Sequence, residues 1–367
     1  MSTSRRKIEH LELCAASPVE SRKVGPGFKD VMLVHRALPE MNMDDIDLSL
    51  RFLEKDMKAP FMIASITGGH PDTTSVNAAL AEAAEELGIG IGVGSQRAAI
   101  EDPSQEESFR VVRDKAPEAF VYGNIGAAQI QEYGVEGVER IIEMIDADAI
   151  AVHLNFLQEA IQPEGDRDAS GALEVIKEIC SLAVPVIIKE TGAGISHEDA
   201  FLLKEAGVSA IDVGGVGGTS WSGVEVYRAR ERKDLESELL GELFWDFGIP
   251  TVPSIVECSV SLPVIATGGL RSGLDIAKSI ALGASVASAA LPFVEPAMKG
   301  KDEVVNSIQH MLNELKVAMF LCGCKNMNDL HLAPAVISGW TREYLELRGF
   351  NVKDLALRSK NTDFQTV

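Results

Sequence analysis

A closed (β/α)8 barrel, an α/β TIM barrel with an N-terminal extension and a C-terminal helical tail, is the fold this 367-residue sequence predicts. Three observations point to it. Eight short apolar segments rich in β-branched residues alternate with segments of helical spacing, the pattern of a parallel sheet with helical crossovers. The apolar segments end one after another in glycine, polar or charged residues, as strands do at the C-terminal mouth of a barrel. The 46% hydrophobic content is enough for one large core, and barrels use chains of this length as one domain.

The first stretch lies outside the alternation. Residues 5–14 mix charged and apolar side chains as a short helix does, and Val24-Gly25-Pro26-Gly27 breaks the chain. Short strands are predicted at 31–36 and 46–52, around the acidic turn Met43-Asp44-Asp45. Barrel strands are then predicted near 59–65, 89–94, 119–125, 147–153, 184–190, 210–215, 262–268 and 285–290. Helical spacing occupies 76–87, 135–145, 173–182, 197–206, 274–282 and 304–320. Two connections are longer than usual, 214–249 and the tail 322–367, and long segments at a barrel mouth often serve as lids or oligomer contacts. The expected division is a substrate-capping extension (1–58), a barrel (59–321) and a tail packed on it (322–367).

Composition excludes several classes. A net charge of −21 argues against sequence-independent nucleic-acid binding, which needs a broad basic surface. Any bound anion must meet a local basic cluster. No apolar run approaches the ~18–20 residues of a membrane span, and the polar start lacks a signal-peptide core; a cytoplasmic enzyme is expected. The five cysteines are scattered, and Cys322-Gly323-Cys324 reads as packed thiols rather than a metal site.

The strand ends carry the chemistry. The fourth gives His153, Asn155, Gln158 and Glu159 in quick succession after an apolar run. The others end in Thr67-Gly68-Gly69, Gly94-Ser95-Gln96-Arg97, Asn124, Lys189-Glu190, Gly214 to Thr219, Thr267 to Gly273, and Ala289-Ala290-Leu291. Glycines beside Arg271, just before a helix, suit the phosphate site many barrels build after strands seven and eight. No Walker motif and no GxGxxG in a βαβ context occurs. Lys189 ends an apolar strand, so it is predicted to face a ligand rather than its neighbour Glu190, which points to the opposite face.

Arg6-Lys7-x-x-His10, Thr67-Gly68-Gly69, Gly94-Ser95-Gln96-Arg97, His153-Leu154-Asn155-x-x-Gln158-Glu159, Lys189-Glu190-x-Gly192-x-Gly194, Gly217-Gly218-Thr219-x-Trp221 and Gly268-Gly269-x-Arg271-x-Gly273 together resemble the type 2 isopentenyl diphosphate isomerases. These are FMN-dependent barrels of isoprenoid synthesis, and the style here is archaeal. The His-x-Asn-x-x-Gln-Glu segment and the N-terminal Arg-Lys are the specific parts. Two departures stand out, Ser288 where the family often has glycine and Thr191 in place of a serine.

The resemblance implies a 1,3-allylic proton shift between isopentenyl and dimethylallyl diphosphate, with reduced FMN, Mg²⁺ and NAD(P)H as reductant. FMN would contact Thr67, Ser95, Asn124 and Lys189 at its ring and Thr219, Gly269, Arg271, Ala290 and Leu291 at its phosphate. Arg6, Lys7, Arg97, His153, Asn155 and Gln158 would bind the substrate, with Arg6 and Lys7 closing from the same or a neighbouring subunit. Glu159 would hold the metal, as Mg²⁺ favours one or two carboxylates plus phosphate oxygens. Gln158, His153 and Lys189 would stand nearest the reaction; a neutral amide is a poor acid, so Gln158 positions or relays through water. A homo-oligomer, tetramer or octamer, is implied. The rival readings are an FMN-dependent oxidoreductase of the 2-hydroxy-acid or dihydroorotate kind and a barrel that only senses a nucleotide or flavin. Against the oxidoreductase stand the amide and carboxylate cluster after His153 and the lack of an obvious loop cysteine.

Overall fold

The computed structural model describes residues 3–358, with side chains from Glu9 onward. Eight parallel strands close into a barrel in chain order. They are β1 (Phe61–Ile63), β2 (Gly90–Gly92), β3 (Val121–Gly126), β4 (Ala149–Leu154), β5 (Val186–Glu190), β6 (Ala210–Asp212), β7 (Val264–Ala266) and β8 (Val286–Ala289). Strand β8 pairs back onto β1 through Ala287 with Phe61 and Ala289 with Ile63. Six of the strands fall inside the segments predicted for them, and β3 and β4 run one residue past theirs.

Side-chain alternation divides the core into two layers. On β4, Ala149 and Ala151 point into the barrel while Ile150 and Val152 pack outward under the helices. The lumen is filled by Met62, Phe120, Tyr122, Ile187, Ile265 and Val286, and its lower end by Phe52 and Met57 of the hairpin Leu50–Phe52/Lys55–Met57. Polar groups are thereby confined to the upper end, where the strands finish.

The connection 214–249, expected as a long loop, is largely helical: Trp221–Arg232 and Leu235–Leu243 occupy it. Helical spacing of apolar residues is weak there because the first of these helices buries Glu225 and Arg228 along with its valines. The helix predicted at 135–145 begins earlier, at Ala127, and is kinked at Gly134, where φ is 62°. The N-terminal extension starts with the helix Thr3–Ala16. Its strand Val31–Leu33 pairs antiparallel with Ala335–Ile337 of the tail, so the two ends of the chain are joined on the barrel's flank. The second predicted N-terminal strand shrinks to Leu50–Phe52. Arg348 in the tail is tied to the buried Glu257 at 3.1 Å. Among the described residues no helix is long and apolar enough to cross a membrane.

Candidate active site

The barrel mouth holds a cavity with about 1600 Å³ of empty space, counting its opening to solvent. Ser95, Arg97, Asn124, His153, Asn155, Gln158, Glu159, Lys189, Thr219, Gly269, Arg271, Ala290 and Leu291 all line it. Thr67 does not. Its carbonyl is held by Gly94 N–H at 2.8 Å and by the Asn77 amide, which turns the end of β1 away, and Ala64, Ser65 and Ile66 face the cavity instead. The side chains of Arg6 and Lys7 lie outside the described residues; their backbone belongs to the helix Thr3–Ala16, whose His10, Leu11 and Cys14 line the cavity.

One wall is built from β4 and the short helix Phe156–Ile161 that follows it. Asn124 donates its amide nitrogen to the Val93 carbonyl at 3.1 Å, so its oxygen is the atom 2.8 Å from His153 Nδ1. An amide oxygen only accepts, which places the proton on Nδ1 and assigns Nε2 to whatever His153 meets next. Glu159 accepts from Asn155 Nδ2 at 2.8 Å, from the Gln162 amide, and from Asp166 N–H at 2.9 Å. Gln158 donates to Glu225 Oε1 at 2.9 Å, and Arg228 clasps the other Glu225 oxygen at 2.6 Å. That contact fixes the amide's orientation with its nitrogen toward Glu225. Burial alone would raise the Glu225 carboxyl, but His10, Arg228 and Gln158 hold it below its usual range. His10 also stacks edge-on against Trp221 with ring centroids 5.1 Å apart, which docks the N-terminal helix beside this wall.

The opposite wall is main chain. Gly218 and Gly269 approach so closely that a Cβ on Gly218 would stand 2.5 Å from Gly269 N, and φ at Gly269 is +79°. A strap from the N-terminal extension lies across it: Ser21 N–H bonds Gly218 O at 2.9 Å, and Gly217 N–H bonds the Ser21 hydroxyl at 3.0 Å. Arg271 holds the Glu20 carboxylate and its own neighbour's carbonyl, Leu270 O, at 2.7 Å. The helix Gly273–Ala281 starts just behind, capped by Ser272.

Lys189 forms the floor. It does turn into the cavity, as predicted, and its ammonium stands 3.1 Å from the buried Asp212. Glu190 points the other way, accepting from Gly192 N–H at 2.6 Å and from Ala193 and Gly194 N–H, which shapes the loop after β5. Burial pushes its carboxyl up to about 7 against the pull of those N–H groups.

Comparison with known proteins decides the family. A family profile described as FMN-dependent dehydrogenase matches residues 143–337. An isopentenyl-diphosphate delta-isomerase of Methanosarcina mazei is 74% identical over 357 residues, 97% of this chain and 98% of that protein. The chain belongs to the isopentenyl-diphosphate delta-isomerases. Isomerases of the same name from Archaeoglobus fulgidus and Halobacterium salinarum are 58% and 51% identical, over 95% and 94% of this chain and 100% and 97% of theirs. Among solved structures, a lactate oxidase of Pediococcus acidilactici superposes with a TM-score of 0.65 at 15% identity, covering 92% of this chain and 95% of that one. A mandelate oxidase gives 0.60 at 18%, covering 91% and 96%. These share the fold.

Within this isomerase family member, sequence reasoning missed three residues that hold the site: Asp212, Glu225 and Arg228. Asp212 carried a signal, an acid at the end of an apolar strand next to a lysine-bearing one. Glu225 and Arg228 carried none, because their stretch read as loop. Three cysteines stand away from the cavity lining: Cys322 and Cys324 are buried, and burial pushes the Cys258 thiol up to about 12.

Proposed function

We propose that the chain interconverts isopentenyl and dimethylallyl diphosphate by a 1,3-allylic proton shift, with reduced FMN and Mg²⁺ bound at the barrel mouth and NAD(P)H as the reductant. The observation that carries this reading is the two-sided lining of one cavity. A glycine-built wall with a basic residue faces a wall of imidazole, amides and carboxylate, and an ammonium lies between them.

The residues present fit a flavin mononucleotide. Ser65 and Ser288 line the cavity with buried hydroxyls that make no hydrogen bond of ordinary geometry among the described residues, and such groups call for a ligand or water. Main-chain glycines at the loops after β6 and β7 let a phosphate approach, with Thr219, Gly269, Arg271, Ala290 and Leu291 around it. The Glu20 carboxylate on Arg271 marks that place as one where an anion is held. Ser95 and Lys189 would face the ring system, with Asn124 beside them. When bound and reduced, FMN supplies the proton-exchanging centre beside the alkene.

The chain's own residues do the rest. His153 Nε2, Asn155 and Arg97 address the diphosphate, together with Arg6 and Lys7. Glu159 fits a hard ion that takes most of its ligands from phosphate and water; among the described residues no cluster of three ligating side chains exists to cage a metal without the substrate. Gln158, its nitrogen committed to Glu225, presents its carbonyl end to the carbon chain or to a water there. Diphosphate binding thus holds a small apolar tail in register. An exposed stripe, Leu235, Leu239, Leu243 and Phe247, supports assembly into a homo-oligomer, since apolar patches of this kind are usually covered.

The test is anaerobic reduction of FMN-loaded protein, followed by isopentenyl diphosphate and Mg²⁺. Dimethylallyl diphosphate should form without stoichiometric use of reductant. No product, or one reducing equivalent per turnover, sinks the reading.

A further inference from the structure

Asp212 ends β6 and is 1% exposed. Thr267 donates its hydroxyl to one carboxylate oxygen, and Lys189 Nζ stands 3.1 Å from the other. The pairing follows from register, because Lys189 and Asp212 are direct partners on adjacent parallel strands and share a face. No other cation is paired with Asp212 among the described residues.

The remaining titratable groups around Lys189 are engaged elsewhere. Glu190, next on β5, spends its carboxylate on the N–H groups of the following loop. His153, its register partner on β4, binds Asn124. Tyr122, inside the barrel, is fully buried, and burial together with the charge of Asp212 pushes its phenol far up, so it stays neutral. Asp212 is therefore the counter-ion of the floor. An amine with a side chain 12% exposed is mostly out of water, and a carboxylate beside it holds it in one place.

We infer that Asp212 is a positioning residue that fixes the Lys189 amine at the cavity floor, so that the site favours a ligand gaining negative charge there. The inference rests on the flavin reading above, in which the reduced cofactor is the more electron-rich form. It adds to that reading a residue that touches neither cofactor nor substrate.

Two measurements test it. In the ligand-free protein, reductive methylation with formaldehyde and a borane at pH 8, mapped by mass spectrometry, reads how freely the amine leaves its ion pair. Asp212→Asn is expected to speed labelling of Lys189 about tenfold, the loss of one hydrogen bond to a charged partner; an unchanged rate overturns the inference whatever the cofactor. In the FMN-loaded protein, Asp212→Asn is expected to lower the ratio of affinities for reduced over oxidised flavin about tenfold, a fall of about 30 mV in the two-electron midpoint. Lys189→Met should give the same fall, the double variant no more than either, and Asp212→Glu should restore most of it. A midpoint that rises or stays put, or falls that add in the double variant, overturns the inference. Wild-type protein that takes up no FMN would sink the flavin reading instead, and the labelling rate would still decide the role of Asp212. Should Asp212→Asn not fold, Thr267→Val removes only the hydroxyl partner; about threefold changes in the same directions are expected, and none would count against the inference.

Discussion

One wall of the cavity is main chain and the other is side chains, and they are held by different means. The glycine wall, from Gly217 to Thr219 and from Gly268 to Arg271, is fixed by close backbone approach and by the strap at Ser21. The wall from His153 to Glu159 is fixed by buried charge: Gln158 leans on Glu225, which leans on Arg228, which reaches Glu164 at 2.7 Å. A backbone site forgives side-chain changes but not an added Cβ. A side-chain site forgives little, because its groups hold one another in a dry place.

The sharpest way to break the comparison is Arg228→Met, which leaves Glu225 buried without its cation. Loss of one partner of such a pair costs about 3–5 kcal/mol, to be read from denaturant unfolding; a loss under about 1 kcal/mol would mean that the charge network does not support this wall. Next in size is a pH effect in the loop after β5. Because the folded Glu190 carboxyl is raised from 4.5 to about 7, the folded state binds that proton more tightly than the unfolded chain. Its contribution is complete below about pH 4.5 and is lost as pH rises through about 7, a change on the order of 3 kcal/mol. Glu190→Gln should flatten that part of the stability profile, and an unchanged profile would contradict the assignment.

On the glycine wall, Gly269→Ala should cost about 1–2 kcal/mol from its left-handed φ alone, and the new Cβ would also collide with Gly217 O. Flavin retained after purification reads the effect, and full retention would show that the approach of the two loops is not essential. Glu159→Gln should lower Mg²⁺-dependent turnover about tenfold or more, near 1.4 kcal/mol, while FMN content holds; equal activity removes Glu159 from the metal role. Smallest is Glu20→Gln, which opens a half-exposed pair with Arg271. A change below about 1 kcal/mol in stability is expected, and a larger loss would make the strap a main support of the glycine wall.

Much of the site was legible in the chain because it sits at strand ends. His153 to Glu159 follow directly on an apolar run, and Lys189 closes another, so position along a strand gave position in the barrel. Thr67 is the instructive miss. It follows β1 as the others follow their strands, yet Asn77 and Gly94 draw its carbonyl into the core, contacts that depend on other elements. Glu225 and Arg228 were illegible for a related reason. Hydrophobic periodicity reports apolar burial, and this helix buries an ion pair.

By itself the sequence determined the eight-strand order, the mouth as the place of chemistry, and the residue types delivered there. Strand propensity, two-residue alternation and glycine at turns are local properties, and they are written in runs of neighbours. The tertiary structure alone decided which side chain each of those residues leans on. Lys189 with Asp212, Gln158 with Glu225 and Arg271 with Glu20 are contacts across 23, 67 and 251 positions of sequence. A partner at that distance is set by strand register and helix packing, and only the closed barrel brings both ends of each pair to the same few ångströms.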